Sequence, residues 1–301
     1  MFKFDFGGTN PAPGYVLVSP SAVFAKDSGY GFDFHSKVTQ VDSGGTDPLH
    51  DGFCTATQPF LFSVALPEGN YEVTVTLGDP AAASTTTVKA ESRRLMLENV
   101  QTAPGQFTSR TFTVNVRTPT LPAGGKVKLK PRELGPPPVL HWDDKLTLEF
   151  NGSRPCLCAM EIKRVENAIT VYLAGDSTVT DQPNEPWNSW GQMLPRFFKP
   201  SVAVANHAES GESLPSFLSS HRLDKILAEM KAGDYLFIQF GHNDQKDKRP
   251  GAGAFTTFAT NLVHFVRETR QRGGLPVLVT PMERKASVFA ETLGDFPAAV
   301  R

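Results

Sequence analysis

The sequence predicts an α/β protein of two parts: an antiparallel β-sandwich over residues 1–166, then an α/β domain with a parallel sheet over 167–301. Three observations carry this prediction. Residues 1–165 hold successive short β-runs with almost no helical periodicity, and several of them alternate apolar and polar residues, the mark of a sheet with one wet face. The composition then changes near Glu166-Asn167-Ala168. Beyond that point short apolar runs alternate with amphipathic stretches of helical spacing, which implies right-handed βαβ crossovers.

Strands are expected in the first part at Phe60–Leu66, Tyr71–Leu77, Thr86–Ala90, Phe112–Val116, Lys126–Lys130, Lys145–Phe150 and Leu157–Val165. Turn material separates them, as at Pro67-Glu68-Gly69-Asn70 and Gly135-Pro136-Pro137-Pro138. Many short strands at this spacing argue for a sandwich. In the opening 50 residues Phe4, Phe6, Phe32 and Phe34 flank aspartates; they are expected in the core, with a sugar-stacking platform as the sharper alternative. Cys156 and Cys158 alternate with Leu157 and so share a face, as core packing rather than a redox pair. His35, His50 and His141 lack ligand-like spacing and are expected at the surface or satisfied.

In the second part Ile169–Ala174 is a run of β-formers suited to a strand buried on both faces. Trp190, Met193, Leu194, Phe197 and Phe198 are spaced for one helix face, and Ser201–Ala205 is a second strand. Leu214–Met230 has helical spacing, Tyr235–Phe240 is a third strand, and Phe255–Thr269 form a helix ended by Gly273-Gly274. Leu275–Thr280 is a fourth strand, and residues 294–301 read as the start of a helix.

Composition narrows the partners. A formal net charge of -1 and the lack of any long basic run argue against nucleic acid and anionic membrane. No run of about 18 apolar residues suggests a membrane span. Met1–Phe6 lacks the apolar core of a signal peptide. Three cysteines make neither a disulfide framework nor a four-ligand zinc pattern.

Each of the first three strands of the second part is followed by a polar cluster: Gly175-Asp176-Ser177-Thr178, then Asn206-His207-Ala208-Glu209-Ser210-Gly211-Glu212-Ser213, then Gly241-His242-Asn243-Asp244. In a parallel sheet all three meet at the carboxyl edge, where such sheets bind ligands. Acyl transfer needs a nucleophile and donors aimed at a developing oxyanion. Ser177 leads out of a rigid strand, although the plainer alternative is that it caps the segment after it. A glycine at 211 lets a backbone N–H approach a substrate, the Asn243 amide can donate, and the Ser177 N–H makes a third donor.

The ordered set G-D-S-T, S-G-E-S and F-G-H-N-D resembles blocks I, II and III of the SGNH (GDSL-type) hydrolases, and within them the rhamnogalacturonan acetylesterase branch. The half that begins F-D-F-G-G is similar to the galactose-binding-like sandwich attached to many bacterial members. The resemblance implies a flavodoxin-like three-layer α/β/α domain and serine-dependent deacetylation of an acetylated plant cell-wall polysaccharide or oligosaccharide, without metal or organic cofactor and in a secreted or periplasmic setting. It implies Ser177 as nucleophile and Gly211 and Asn243 as its oxyanion-hole partners. Asp176 would support the turn, and Asp244, with His242, would orient the third loop. Trp187 and Asn188, in the loop after the nucleophile, are candidates for contact with a sugar ring, against the plainer reading that Trp187 and Trp190 pack the first helix.

The chain departs from this pattern in one respect. The family's general base sits in a late D-x-x-H block, and no histidine follows Thr280-Pro281 here. The expectation is a C-terminally truncated esterase whose last sheet layer and base are missing from this sequence, and which is inactive as it stands for that reason. Two alternatives remain open: His207 or His242 acts as the base, or the chain is an inert, glycan-binding relative. A rival enzyme class is a metallophosphoesterase with Asp176, His207, His242 and Asp244 as ligands.

Overall fold

The computed structural model describes residues 1–283 and 292–301. The chain forms two compact units: residues 1–118, 140–168 and 193–203 make the first, and 119–139, 169–192 and 204–301 the second. A division at Ala168/Ile169 lies close to the change of period seen in the sequence. Two segments, 119–139 and 193–203, belong to the unit opposite the one their chain position suggests.

The first unit contains twelve strands: β1 (Phe2–Asp5), β2 (Val16–Leu17), β3 (Tyr30–Asp33), β4 (Thr39–Asp42), β5 (Gly52–Thr55), β6 (Phe60–Ala65), β7 (Gly69–Gly78), β8 (Ser84–Ala90), β9 (Arg94–Thr102), β10 (Phe107–Val116), β11 (Lys145–Arg154) and β12 (Cys156–Arg164). One sheet runs β10-β7-β12-β1-β2, with β5 also paired to β12 and β4 to β5; the other runs β3-β6-β11-β8-β9. Pairing is antiparallel except between β1 and β2, where Phe4 faces Val16 in parallel register. Alternation works as expected in β7, whose Tyr71, Val73, Val75 and Leu77 are buried while Glu72, Thr74 and Thr76 are half-buried. Phe4, Phe6, Phe32 and Phe62 form one aromatic core, with the Phe62 ring centroid 5.0–5.4 Å from the other three. Phe34 lies outside it and is exposed. Cys54, Cys156 and Cys158 are buried free thiols, pushed upward in pKa by burial. His141 is buried and bonded to Ser92 Oγ, and His50 pairs with Asp47.

Two expectations in this part differ from the structure. Lys126–Lys130 is not a strand: it makes one bridge, Thr120 to Lys126, and Lys128 N donates to Ser220 O at 2.9 Å. Its alternation buries Val127 within the second unit instead. Strand β9 is invisible to hydrophobic periodicity because Arg94 takes an inward position, with Nη1 donating to Asn115 O at 3.3 Å.

In the second unit the sheet order is β14 (Val202–Asn206), β13 (Ile169–Gly175), β15 (Tyr235–Gln239), β16 (Leu275–Leu278). Strands β13 and β15 pair in parallel from Val171–Tyr235 to Gly175–Gln239, and β15 pairs with β16 in parallel. Around it lie α1 (Pro131–Leu134), α2 (Trp190–Met193), α3 (Leu214–Ser219), α4 (Arg222–Glu229), α5 (Ala259–Gln271) and α6 (Phe296–Val300). Phe217, Ile226, Leu262 and Phe265 pack on Ala174, Leu236, Ile238 and Phe240 in one core. The single helix expected over Leu214–Met230 is broken at Ser220-His221, where His221 is left-handed with φ 63. Ser219 and Ser220 hydroxyls turn back onto the carbonyls of Ser216 and Phe217, competing with helix continuation. The apolar stripe after Trp190 is likewise split, as Pro195 opens a 3₁₀ turn over Leu194–Phe197 and Phe197 is exposed.

Candidate active site

All three motif clusters stand directly after strands of this sheet. Strand β13 ends at Gly175, where a Cβ would lie 2.4 Å from Val179 Cγ2 and 2.9 Å from Gln239 O, so only glycine lets the next turn fold back this tightly. Val179 N and Thr180 N both donate to Asp176 O at 3.0 Å. The Asp176 carboxylate takes Thr178 N and Thr178 Oγ1 on one oxygen, each at 2.9 Å, and faces His242 Nδ1 at 3.2 Å with the other. Ser177 therefore sits at the partly exposed apex of a turn pinned from beneath.

The second cluster follows β14 and is laddered to β13: His207 N donates to Leu173 O at 2.9 Å and Glu209 N to Gly175 O at 3.1 Å. Gly211 is exposed at a φ of 80, in the left-handed region that disfavours other residues. Gln182 Nε2 donates to Ser177 O at 3.0 Å and makes a long contact of 3.5 Å to Ser210 Oγ, which ties the Ser177 turn to the residue before Gly211.

The third cluster closes on the second. Asn243 Nδ2 donates to Glu212 O at 2.8 Å, and Lys246 Nζ donates to Asn243 Oδ1 at 2.7 Å. Asp244 accepts from Leu214 N at 2.9 Å and from Gly241 N at 3.1 Å, binding the loop to the start of α3. Burial raises the Asp244 pKa to about 6, against the lowering effect of those amide bonds. The three loops that carry Ser177, Gly211 and Asn243 are thus bonded to one another pairwise. Among the described residues neither the Ser177 N–H nor the Gly211 N–H has an acceptor, and Asn243 Nδ2 keeps a second hydrogen beyond the one given to Glu212. This supplies three donors of the kind that stabilise an oxyanion. Beside Asn243 lies a cavity of about 330 Å³ lined by Ser213, Asn243, Lys246, Lys248, Arg249 and Phe296.

Trp187 and Asn188 are exposed on the loop after the turn, Trp187 to 68%. Trp190 behaves differently: it is half-buried, and its indole N–H donates to Gln239 Oε1. His242 has both ring nitrogens engaged, by Asp176 and by Met282 O at 2.9 Å. His207 is buried with its ring 5.8 Å from that of Tyr172. Among the described residues no hydrogen bond reaches Ser177 Oγ from either histidine. Nor are Asp176, His207, His242 and Asp244 gathered as a ligand set, since both Asp244 oxygens face backbone amides.

Sequence reasoning missed Gln182 and the segment around α1. Glu133 in α1 is buried and bonds Lys130 N at 2.8 Å and the Arg222 guanidinium. Lys130 Nζ contacts Ser210 O and Glu212 Oε1, each at 2.8 Å, and Arg132 pairs with buried Glu209. Burial and the neighbouring Glu133 raise the Glu209 pKa to about 7, opposed by Arg132 and Arg222.

Residues 173–301 match the family described as GDSL-like Lipase/Acylhydrolase family, and residues 2–116 match Beta-agarase/YXIM esterase-like, galactose-binding domain-like. The uncharacterized esterase YxiM of Bacillus subtilis (strain 168) is 30% identical over 306 residues, 97% of this chain and 72% of that protein. Rhamnogalacturonan acetylesterase RhgT of the same organism is 41% identical over 143 residues, 46% of this chain and 61% of that protein. The crystal structure of YxiM aligns with 99% of this chain and 81% of its own at 26% identity and a TM-score of 0.42.

Proposed function

The chain belongs to the GDSL-like lipase/acylhydrolase family, and from that premise we propose that it is a serine esterase which removes acetyl groups from a pectin-type polysaccharide. The observation that carries this is the presence of three donors around Ser177 that have hydrogens to spare among the described residues. Ser177 Oγ attacks the acetyl carbonyl carbon, and the oxygen that gains charge meets the N–H groups of Ser177 and Gly211 and the Asn243 amide. Collapse breaks the bond to the sugar oxygen, which leaves as the alcohol with the proton taken from Ser177. Water then attacks the acetyl-serine, releasing acetate and restoring the hydroxyl.

With His242 engaged on both sides and His207 buried, neither is proposed as the proton acceptor; that role is assigned to an Asp-x-x-His pair, which the family resemblance implies and residues 1–301 do not contain. The cavity beside Asn243 and the exposed Trp187 are the proposed sugar contacts. The relatives named rhamnogalacturonan acetylesterase support the substrate class, and a secreted or periplasmic setting is proposed with it.

Fluorophosphonate labelling with adduct mapping tests the nucleophile: Ser177 is expected to carry the adduct, and Ser177→Ala to abolish it. An adduct elsewhere refutes the assignment. Acetate release from acetylated rhamnogalacturonan, compared with acetylated xylan, tests the substrate.

A further inference from the structure

We propose that Lys130 is a positioning residue of this site, holding the Ser210–Gly211 peptide so that the Gly211 N–H faces the oxyanion; the inference rests on the esterase function proposed above. Lys130 lies outside all three motif loops, on the segment 119–139, which precedes β11 in the chain and belongs to the second unit. Its backbone is anchored deep in that unit. Lys130 N donates to Glu133 Oε2 at 2.8 Å, Glu133 pairs with the fully buried Arg222, and Arg222 Nη1 donates to His207 O at 3.1 Å.

From that anchor the side chain reaches the two residues that flank Gly211. Its ammonium donates to Ser210 O at 2.8 Å and pairs with the buried Glu212 carboxylate at 2.8 Å. One residue further back, Arg132 pairs with Glu209. The Ser210 carbonyl and the Gly211 N–H are opposite ends of one planar trans peptide and point in opposite directions. An ammonium that fixes the carbonyl therefore fixes the N–H on the other side, and a rotation of this peptide would withdraw the donor. A cation on the carbonyl oxygen also polarises the peptide and strengthens the N–H as a donor. Glu212 N also donates to Glu209 O at 3.1 Å and closes the turn, but that bond spans the Ser210–Gly211 peptide and tolerates either orientation of it; among the described residues Lys130 Nζ is the donor that grips the Ser210 carbonyl beside Gly211, whose φ is 80.

Glu212 has further partners in Ser216 Oγ and, at 4.0 Å, Arg222 Nε, so its carboxylate is not left alone when Lys130 is replaced. The test compares wild type, K130M, K130R, E212Q and S177A in p-nitrophenyl acetate hydrolysis, and follows the Gly211 amide cross-peak in [15N]glycine-labelled protein. K130M is expected to lower kcat at least tenfold with KM within twofold, and to displace the Gly211 cross-peak. K130R is expected to restore both, and E212Q, which leaves the carbonyl contact intact, to keep kcat within threefold. A K130M enzyme with kcat within twofold of wild type, or with an unmoved cross-peak, overturns the proposal, as does an E212Q loss equal to that of K130M. If K130M does not fold, K130Q, with its shorter uncharged donor, carries the same expected loss and the same refutation. A wild type no faster than S177A is the outcome expected without the Asp-x-x-His block and does not bear on Lys130; the cross-peak alone then decides whether Lys130 holds the peptide.

Discussion

Asn243→Ala separates the chemistry of the site from its stability. The side chain gives one hydrogen to Glu212 O at 2.8 Å and receives one from Lys246 at 2.7 Å, so its replacement removes two hydrogen bonds at a partly exposed position. Each is worth about 1 kcal/mol at most in such a setting, and the Lys246 bond less because its donor is exposed. A net loss of about 1–2 kcal/mol corresponds to a fall of a few degrees in Tm. The second amide hydrogen acts only when charge develops on the substrate oxygen. Removing one such donor costs about 10²–10³ in kcat, on the order of 3–4 kcal/mol. The catalytic loss is therefore expected to exceed the stability loss, with KM little changed because the interaction forms in the transition state. Steady-state hydrolysis of p-nitrophenyl acetate and thermal melting on the same preparation measure both. A variant that keeps kcat within threefold while its Tm falls would show that Asn243 only braces the 212 loop, and the three-donor account of the site would be refuted.

Three further outcomes are expected. Gly175→Ala places a methyl 2.4 Å from Val179 Cγ2, so the nucleophile turn must shift; a cost of about 1–3 kcal/mol and a loss of Ser177 labelling are expected, and labelling at the wild-type rate would contradict the packing argument. Phe62→Ala empties the centre of the aromatic core of the first unit and is expected to cost about 3–5 kcal/mol by urea unfolding, with labelling of Ser177 in the folded protein unaffected. Burial raises the Asp244 pKa from the usual 3.8 to about 6 in the folded protein, so the folded state holds its proton more tightly. Its stabilising effect is complete below pH 4 and is lost as pH rises through 6, by about 3 kcal/mol. Asp244→Asn is expected to flatten the dependence of Tm on pH between 4 and 6.5, and unchanged slopes in the variant would refute the assignment.

The parts of the fold legible in the sequence are those where one physical preference acts alone. Strand β13 is buried from Thr170 to Gly175, with only its first residue, Ile169, exposed, and β7 alternates cleanly because one of its faces meets the core and the other meets water. Legibility fails where a polar side chain occupies an inward position or a local bond competes with the regular one. Arg94 hides β9, the serines at 219 and 220 divide one apparent helix into α3 and α4, and Pro195 turns a helical stripe into a 3₁₀ turn. The Lys126–Lys130 alternation is real, but it records the burial of Val127 within the second unit rather than a place in a sheet.

The same distinction applies to the site. Ser177, Gly211 and Asn243 could be singled out because each follows a strand and the parallel topology carries strand ends to one edge. Their order in the chain is enough to bring the loops together, and local residues such as Asp176 and Asp244 then fasten them. Lys130, Arg132 and Glu133 obey no such rule. Lys130 and Arg132 lie about 80 residues before the loop they grip, Glu133 pairs with Arg222 instead, and all three are held by ion pairs whose partners carry no periodicity. A basic residue in a short segment before Gly135-Pro136-Pro137-Pro138 looks like ordinary surface, and only the burial of its partners, Glu209, Glu133 and Glu212, marks it out. Carboxylates at that depth are retained at a desolvation cost, which cations must offset for the folded state to survive. It follows that the motif loops specify which groups gather at the sheet edge, while the buried charges beneath them specify how firmly the turn at Gly211 keeps its shape.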